Sequence, residues 1–80
     1  MPSSPLFLGL DVGTQSVRAA LYDLTGACRG FATAPLDTFH PQPAWAEQDA
    51  GQWWAAARSA VPAALAKAQA SPSDVAGIGL

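Results

Sequence analysis

The most informative stretch of the chain reads Leu8-Gly9-Leu10-Asp11-Val12-Gly13-Thr14-Gln15-Ser16-Val17-Arg18. It predicts an apolar strand that ends in an acid, a glycine turn flanked by hydroxyls, and a second strand that carries an arginine. Gly13 is predicted to let the backbone turn tightly and bring its N–H groups close to an anion, while Thr14 and Ser16 add hydroxyl donors. Arg18 offers a positive fork that suits phosphate oxygens. Asp11 would repel phosphate unless a hard divalent cation such as Mg²⁺ lay between them, so the set indicates nucleotide phosphate chemistry with a metal.

The same residue types also fit an ordinary hairpin turn. Asp and Gly are frequent in such turns for backbone reasons alone. The stretch contains neither the lysine of a P-loop nor a G-x-G-x-x-G that opens a helix. From these residues alone, the turn interpretation and the phosphate interpretation stand about equal.

The composition indicates part of a larger protein. The chain has 80 residues, of which 50% are apolar and 12% are charged. Typical soluble domains have roughly 25% charged residues, and a small free-standing domain exposes proportionally more surface. The chain also stops within a run that predicts a buried strand, Gly77-Ile78-Gly79-Leu80. We therefore expect residues 1–80 to be an incomplete N-terminal part of a domain whose surface is covered by more protein.

Charge and cysteine content exclude several classes of function. The net charge is −2 and the four cationic residues are scattered, so no basic field for nucleic acid is expected. The single Cys28 excludes an internal disulfide and fits a reducing compartment. The first residues carry no positive charge, and the apolar run after them is too short for a signal peptide or a membrane span. A cytoplasmic protein without membrane or nucleic-acid partners is expected.

The hydrophobic pattern predicts three strands that form an antiparallel meander. Residues 6–10 form a continuous apolar run, as expected for a strand covered on both faces, and Gly9 within it indicates close approach by another backbone. Residues 16–22 alternate, with Val17, Ala19 and Leu21 on one face. Residues 23–26 predict a turn and residues 28–33 a third strand. Residues 35–46 contain three prolines and no periodicity, which predicts a loop.

A helix and a fourth strand follow the loop. Asp49 and Gln52 resemble a capping box, so the helix is predicted to begin there and to run to about Gln69. Its apolar residues recur at helical spacing at Trp53, Ala57, Ala60 or Val61, Ala64 and Ala68. Pro62 removes a backbone hydrogen bond and is expected to kink the helix. Residues 75–80 predict a strand that the helical crossover places parallel to the first strand.

Other side chains with chemical potential have simpler structural explanations. His40 lacks ligands at metal-binding spacing and is expected to be a loop residue. The tryptophans at 45, 53 and 54 could stack on a sugar ring, but anchoring the loop to the helix is the more frequent role for such residues. Asp49 is explained by the helix cap, and Glu47 by the helix dipole.

Three blocks of the chain resemble the FGGY family of carbohydrate kinases. The first is the stretch from Leu8 to Arg18 with the residues up to the turn at Gly26. The second contains Pro41-Gln42-Pro43-Ala44-Trp45-Ala46-Glu47-Gln48-Asp49 and Trp53-Trp54, and the third is Ser73-Asp74-Val75-Ala76-Gly77-Ile78-Gly79-Leu80. The first block is shared with the wider actin, heat-shock-protein and hexokinase superfamily, whereas the second is more specific. The resemblance implies an α/β fold, the first half of an RNase H-like domain with strand–strand–strand–helix–strand order.

The resemblance also implies an ATP- and Mg²⁺-dependent kinase that phosphorylates a hydroxyl of a sugar or polyol. Asp11 would serve the metal or its waters, and Arg18 would help to hold the nucleotide phosphates. The phosphate-binding turn would consist of Gly13, Thr14, Gln15 and Ser16. The catalytic base would lie beyond this chain, and a homodimer of the full-length enzyme is compatible with the family.

The first two blocks look closest to pentulose kinases, first ribulokinase-like enzymes and second xylulokinases, and less like glycerol kinases. Two alternatives to a functional kinase remain open. The chain could be an inactive truncated remnant, or it could come from a nucleotide-dependent scaffold of the actin or heat-shock type.

Overall fold

A computed structural model describes residues 5–36 and 50–80 of the chain. These residues form strands β1 (Leu6–Val12), β2 (Ser16–Tyr22) and β3 (Cys28–Pro35), helix α1 (Ala50–Ala68), a 3₁₀ turn (Pro72–Asp74) and strand β4 (Val75–Gly79). The predicted strand–strand–strand–helix–strand order of an α/β fold is confirmed. The predicted loop after β3, including His40, Trp45, Glu47 and the Asp49 cap, lies almost wholly outside the described residues.

The four strands form one mixed sheet in the order β3-β2-β1-β4. β2 is antiparallel to both β1 and β3, and β4 is parallel to β1. Parallel neighbours require a long crossover connection, and α1 provides it. Both the predicted meander and the predicted parallel pairing are therefore confirmed.

Two strands extend further than the apolar pattern indicates. β1 continues through Asp11 to Val12, and β3 continues to Pro35, where the sequence predicts the start of a loop. Pro35 can end this strand because β3 pairs only with β2 among the described residues, and an edge strand tolerates a residue without an N–H. Asp11 is consequently a strand residue and not a turn residue.

The hydrophobic core lies between one face of the sheet and α1. The predicted alternation of β2 is confirmed, because Val17, Ala19 and Leu21 are all fully buried. The other core residues are Leu6, Leu8, Ala32, Ala34, Leu36, Ala56, Ala60, Ala64 and Leu65. Burial of this apolar surface is the main stabilising contribution to the fold.

Helix α1 lies unusually close to the sheet at Gly30 of β3. A Cβ atom built on Gly30 would overlap the carbonyl oxygen of Ala64 and would lie 2.9 Å from the Cβ of Ala68. Only glycine on the strand and alanine on the helix allow this approach, because a larger side chain on either element would force them apart. The contact explains why the buried face of α1 consists mainly of alanines.

The predicted buried face of α1 is confirmed except at its first residue. Ala60 and Ala64 are buried, and Ala57, Val61 and Ala68 pack against the core as partly buried residues. Trp53 is 39% exposed, and Ala56 on the following turn is buried instead. Trp54 is also exposed, and whether the tryptophans anchor the loop stays a prediction.

The C-terminus of α1 is closed by a Schellman motif. Gln69 has a positive φ of 54° and its N–H donates to the carbonyl of Ala66 at 3.1 Å. The N–H of Ala70 donates to the carbonyl of Leu65 at 3.0 Å, which completes the motif. The helix thus ends at Ala68, and it is continuous through Pro62.

Neither α1 nor any other helix in the described ranges is long and apolar enough to cross a membrane.

The second face of the sheet is open in the described part of the chain. Phe7, Tyr22 and Phe31 lie on this open face, and each is about two-fifths exposed. Within the described residues β1 is covered on one face, and cover of its second face stays a prediction for the complete protein.

Candidate functional site

The turn between β1 and β2 places the predicted site residues at one end of the sheet. Val12 pairs with Val17 as the last rung of the hairpin, and the N–H of Gly13 donates to the carbonyl of Ser16 at 2.9 Å. Thr14 and Gln15 form the exposed tip. The N–H of Leu36 donates to the carbonyl of Gln15 at 2.8 Å, which ties the tip to the end of β3. The tip is consequently fixed by one hydrogen bond within the hairpin and by a second one from the residue that follows β3.

Gly13 has a less demanding backbone conformation than the tight turn that the sequence predicts. Gly26 is the only described glycine with a positive φ, so the turn does not require glycine at position 13 for backbone reasons. The N–H of Gly13 is also engaged within the hairpin and does not point at an incoming anion. A Cβ at this position would lie 3.5 Å from the carbonyl oxygen of Ser16, an ordinary contact. A role of Gly13 in phosphate binding stays a prediction.

Asp11 and Arg18 form an ion pair on the open face of the sheet. The two residues are directly opposite each other in the antiparallel pairing of β1 and β2. Arg18 Nη1 lies 3.8 Å from Asp11 Oδ2, and the side chains are 54% and 69% exposed, respectively. An ion pair with this exposure contributes little to stability, about 0.2–1 kcal/mol. Both groups therefore remain accessible to a ligand.

A shallow depression of about 390 Å³ begins at this ion pair and extends along the open face. Its lining consists of Gly9, Leu10, Asp11, Arg18, Ala20, Tyr22, Phe31, Gly79 and Leu80. Gly9 and Gly79 are paired across β1 and β4, so two neighbouring strands carry no side chain here. A Cβ on Gly79 would meet no atom within 4 Å among the described residues. The two glycines form a floor without side chains next to Asp11, and the ring of Tyr22 packs beside Gly9, where a Cβ would lie 3.6 Å from Tyr22 Cε2.

A larger opening of about 480 Å³ lies at the opposite end of the sheet, but its polar lining serves the fold. Asp23 Oδ1 accepts hydrogen bonds from the Thr25 N–H at 2.9 Å, the Thr25 hydroxyl at 2.6 Å and the Ala27 N–H at 3.1 Å. The Thr25 hydroxyl is the main reason why the pKa of Asp23 lies below its usual value. The carboxylate is engaged in forming the turn, so we place the functional site at the hairpin end.

The residues at the hairpin end fit a magnesium–phosphate ligand. Asp11 is a single carboxylate, and no cluster of three or more histidine, cysteine or acidic residues occurs within residues 5–36 and 50–80. Mg²⁺ is commonly held by one or two carboxylates together with waters and substrate phosphates. Arg18, 3.8 Å from that carboxylate, supplies the positive fork that phosphate oxygens require. One carboxylate cannot form a site made of protein ligands alone, so waters and phosphate oxygens would supply the other Mg²⁺ ligands.

Residues 6–80 match the family described as FGGY family of carbohydrate kinases, N-terminal domain. The chain belongs to this family. The glycerol kinase of Citrifermentans bemidjiense is 38% identical over 73 residues, which cover 91% of this chain and 15% of that protein. The glycerol kinase of Bordetella pertussis is 36% identical over 80 residues, which cover 100% of this chain and 16% of that protein.

A solved structure shows the same fold. The crystal structure of a xyloylose kinase from Brucella ovis matches this chain with a TM-score of 0.86 and 43% identity, over 94% of this chain and 16% of that one. The actin- and hexokinase-like fold predicted for the chain is confirmed by this likeness. The chain spans 15–16% of the length of these relatives.

The structure brings together most of the residues that the sequence singles out. Asp11 and Arg18 are in contact, and Thr14, Gln15 and Ser16 lie immediately beyond them in the hairpin. The sequence does not indicate that Gly79 joins the site, because its pairing with Gly9 depends on the crossover through α1. The only sequence feature that could have indicated this pairing is the presence of a glycine in each of the two predicted strands, Gly9 in the first and Gly79 in the fourth.

Proposed function

We propose that this chain is the N-terminal part of an ATP-dependent carbohydrate kinase that transfers the γ-phosphoryl group of ATP to a hydroxyl of its substrate. The observation that carries the proposal is the exposed Asp11–Arg18 pair next to the hairpin tip. A carboxylate suited to Mg²⁺ and a guanidinium suited to phosphate are already adjacent there. The family membership supports the same reaction class.

Each residue of the hairpin has a distinct proposed role. Asp11 holds Mg²⁺ or its water ligands, and Arg18 binds nucleotide phosphate oxygens. Thr14, Gln15 and Ser16 form the turn that the phosphates contact, and Gly13 leaves room for them. When bound, Mg²⁺ neutralises charge that develops on the phosphoryl oxygens. The chain's own contribution is to fix these groups in position before the reaction, which is the usual source of electrostatic catalysis.

The described residues offer no group placed to deprotonate a substrate hydroxyl at this site. Among the described residues, Asp11 is the only one that brings a side-chain carboxylate to the depression, and the proposal assigns it to the metal. We therefore propose that the catalytic base belongs to another part of the complete protein.

We propose a pentulose as the substrate and glycerol as the second candidate. The motifs of the hairpin and of the loop resemble those of pentulose kinases, and the likeness to a xyloylose kinase supports this choice. The glycerol kinases among the relatives favour the second candidate. Membership in a carbohydrate kinase family argues against a scaffold of the actin or heat-shock type.

A substrate panel tests the proposal. The complete protein is incubated with ATP and Mg²⁺ in the presence of ribulose, xylulose or glycerol, and ADP release is measured. We expect ADP release to depend on one of the two pentuloses. Turnover with glycerol alone would contradict the pentulose assignment, and the absence of turnover with every carbohydrate would favour an inactive remnant.

A further inference from the structure

Asp11 and Arg18 are positioned to neutralise each other. Arg18 Nη1 and Asp11 Oδ2 are 3.8 Å apart, on opposite residues of β1 and β2. The proposed function gives these residues ligands of opposite charge, a cation for Asp11 and an anion for Arg18. Each side chain therefore lies where the proposed ligand of the other side chain would bind.

This arrangement penalises either ligand on its own. A phosphate chain without metal meets the negative charge of Asp11 and must also separate Arg18 from its partner. A divalent cation without phosphate meets the positive charge of Arg18. A metal–phosphate complex satisfies both side chains at once, because the cation replaces Arg18 beside Asp11 and the phosphate replaces Asp11 beside Arg18.

We propose that the Asp11–Arg18 ion pair couples metal binding to phosphate binding, so that the site selects the magnesium complex of the nucleotide over either ion alone. This inference rests on the proposed function and adds a selectivity device to it. The pair is suited to the task because both side chains are more than half exposed and separate at little cost. Coupling of this kind is reciprocal, so removal of either side chain should raise the affinity of the remaining one for its own ligand.

The anion arm of the test uses Asp11→Asn in the complete protein. Binding of ADP and of inorganic tripolyphosphate is measured by isothermal titration calorimetry, once with EDTA and once with MgCl₂. We expect the variant to bind both metal-free ligands about three- to tenfold more tightly than the wild type, because the repulsion and the internal competitor for Arg18 are gone. The gain in affinity that Mg²⁺ gives the wild type should largely disappear. Asp74→Asn removes the same charge near the other end of β1 and should change neither value.

The cation arm uses Arg18→Gln and binding of Mn²⁺ alone, measured by electron paramagnetic resonance. We expect Mn²⁺ to bind about three- to tenfold more tightly than to the wild type, because Asp11 has lost its internal counter-ion. Arg58→Gln removes a cation from the exposed surface of α1 and is the matched control. This arm needs no nucleotide and stands independently if the Asn variant does not fold, which circular dichroism shows directly.

The outcomes separate the inference from the proposed function. If the wild type does not bind ADP in the presence of Mg²⁺, the proposed function is wrong and the inference falls with it. If the wild type binds the magnesium complex but metal-free affinity is unchanged or lower in Asp11→Asn, the coupling is overturned and the kinase assignment stands. Unchanged Mn²⁺ affinity in Arg18→Gln would likewise overturn it.

Discussion

Asp11 is the residue on which the kinase proposal depends most directly. Asp11 is an exposed acid in a strand, where β-propensity disfavours aspartate, and within the described residues its side chain forms an ion pair with Arg18. A purely structural role would therefore make it dispensable. The turn interpretation also fails to explain it, because the residue precedes the turn and belongs to β1.

Asp11→Asn in the complete protein should lower kcat about 10²–10³-fold and leave the affinity for the carbohydrate nearly unchanged. The carboxylate is proposed to keep Mg²⁺ placed against the transferring phosphate, whereas the carbohydrate binds elsewhere. Steady-state kinetics at saturating Mg²⁺ and ATP provides the measurement. A kcat close to that of the wild type would reduce Asp11 to a member of a surface ion pair.

Gln69 offers a prediction on stability that is independent of the site. The left-handed conformation at the end of α1 costs a non-glycine residue about 1 kcal/mol or more, and glycine adopts it freely. Gln69→Gly should raise the free energy of unfolding by about 1 kcal/mol. Ala66→Gly, inside the same helix, should lower it by a similar amount. Denaturant unfolding of the complete protein compares the two, and destabilisation by Gln69→Gly would show that its side chain has an additional role.

At the scale of elements, the contact between α1 and β3 is the least tolerant feature of the fold. Gly30→Ala would place a methyl group against the backbone of Ala64 and the side chain of Ala68. Helix and strand must then separate, at a cost of about 1–3 kcal/mol. The expected result is a lower melting temperature in the complete protein, followed by circular dichroism. Ala63→Ser, which adds one atom on the exposed side of α1, should melt like the wild type, and equal melting of Gly30→Ala would mean that the helix can shift freely.

The elements also show which parts of the structure the sequence could predict. β2 contains larger apolar residues that alternate with other residues, so its buried face was predicted correctly. In α1, alanine occupies both buried and exposed positions, so the sequence offers little contrast between faces and the prediction relied on Trp53. The backbone proximity that selects alanine is a tertiary property, set by Gly30 on a different element. The same limitation applies to the site, because Asp11 and Arg18 are brought together by local hairpin pairing whereas Gly79 depends on the crossover.

At the scale of the whole molecule, the described chain exposes apolar side chains on two surfaces. Phe7, Tyr22 and Phe31 lie on the open face, and Ile78 of β4 is 67% exposed. Contiguous apolar patches and unpaired strand edges promote association. The isolated 80-residue chain should therefore be associated or poorly folded, and it should release no ADP from ATP with any carbohydrate.

Analytical ultracentrifugation and a coupled ADP assay on the purified chain check both statements. The complete protein under the same conditions is the control for the assay. A monomeric profile with a single sharp thermal transition would contradict the expected association. ADP production from ATP and a pentulose would contradict the assignment of the catalytic base to another part of the protein.

The parallel pairing of β1 with β4 has a consequence for the order in which the chain acquires its structure during synthesis. The three-stranded meander needs only residues 6–35, whereas residues 75–79 emerge later and must find a partner more than sixty positions upstream. Pairing across such a separation carries a large loop-closure cost and is slow. During synthesis, the edge of β1 that pairs with β4 therefore stays unpaired until α1 and β4 have been made. The glycine floor beside Asp11 is complete only once β4 has paired with β1. The nascent chain can therefore form the Asp11–Arg18 ion pair before the floor of the depression exists.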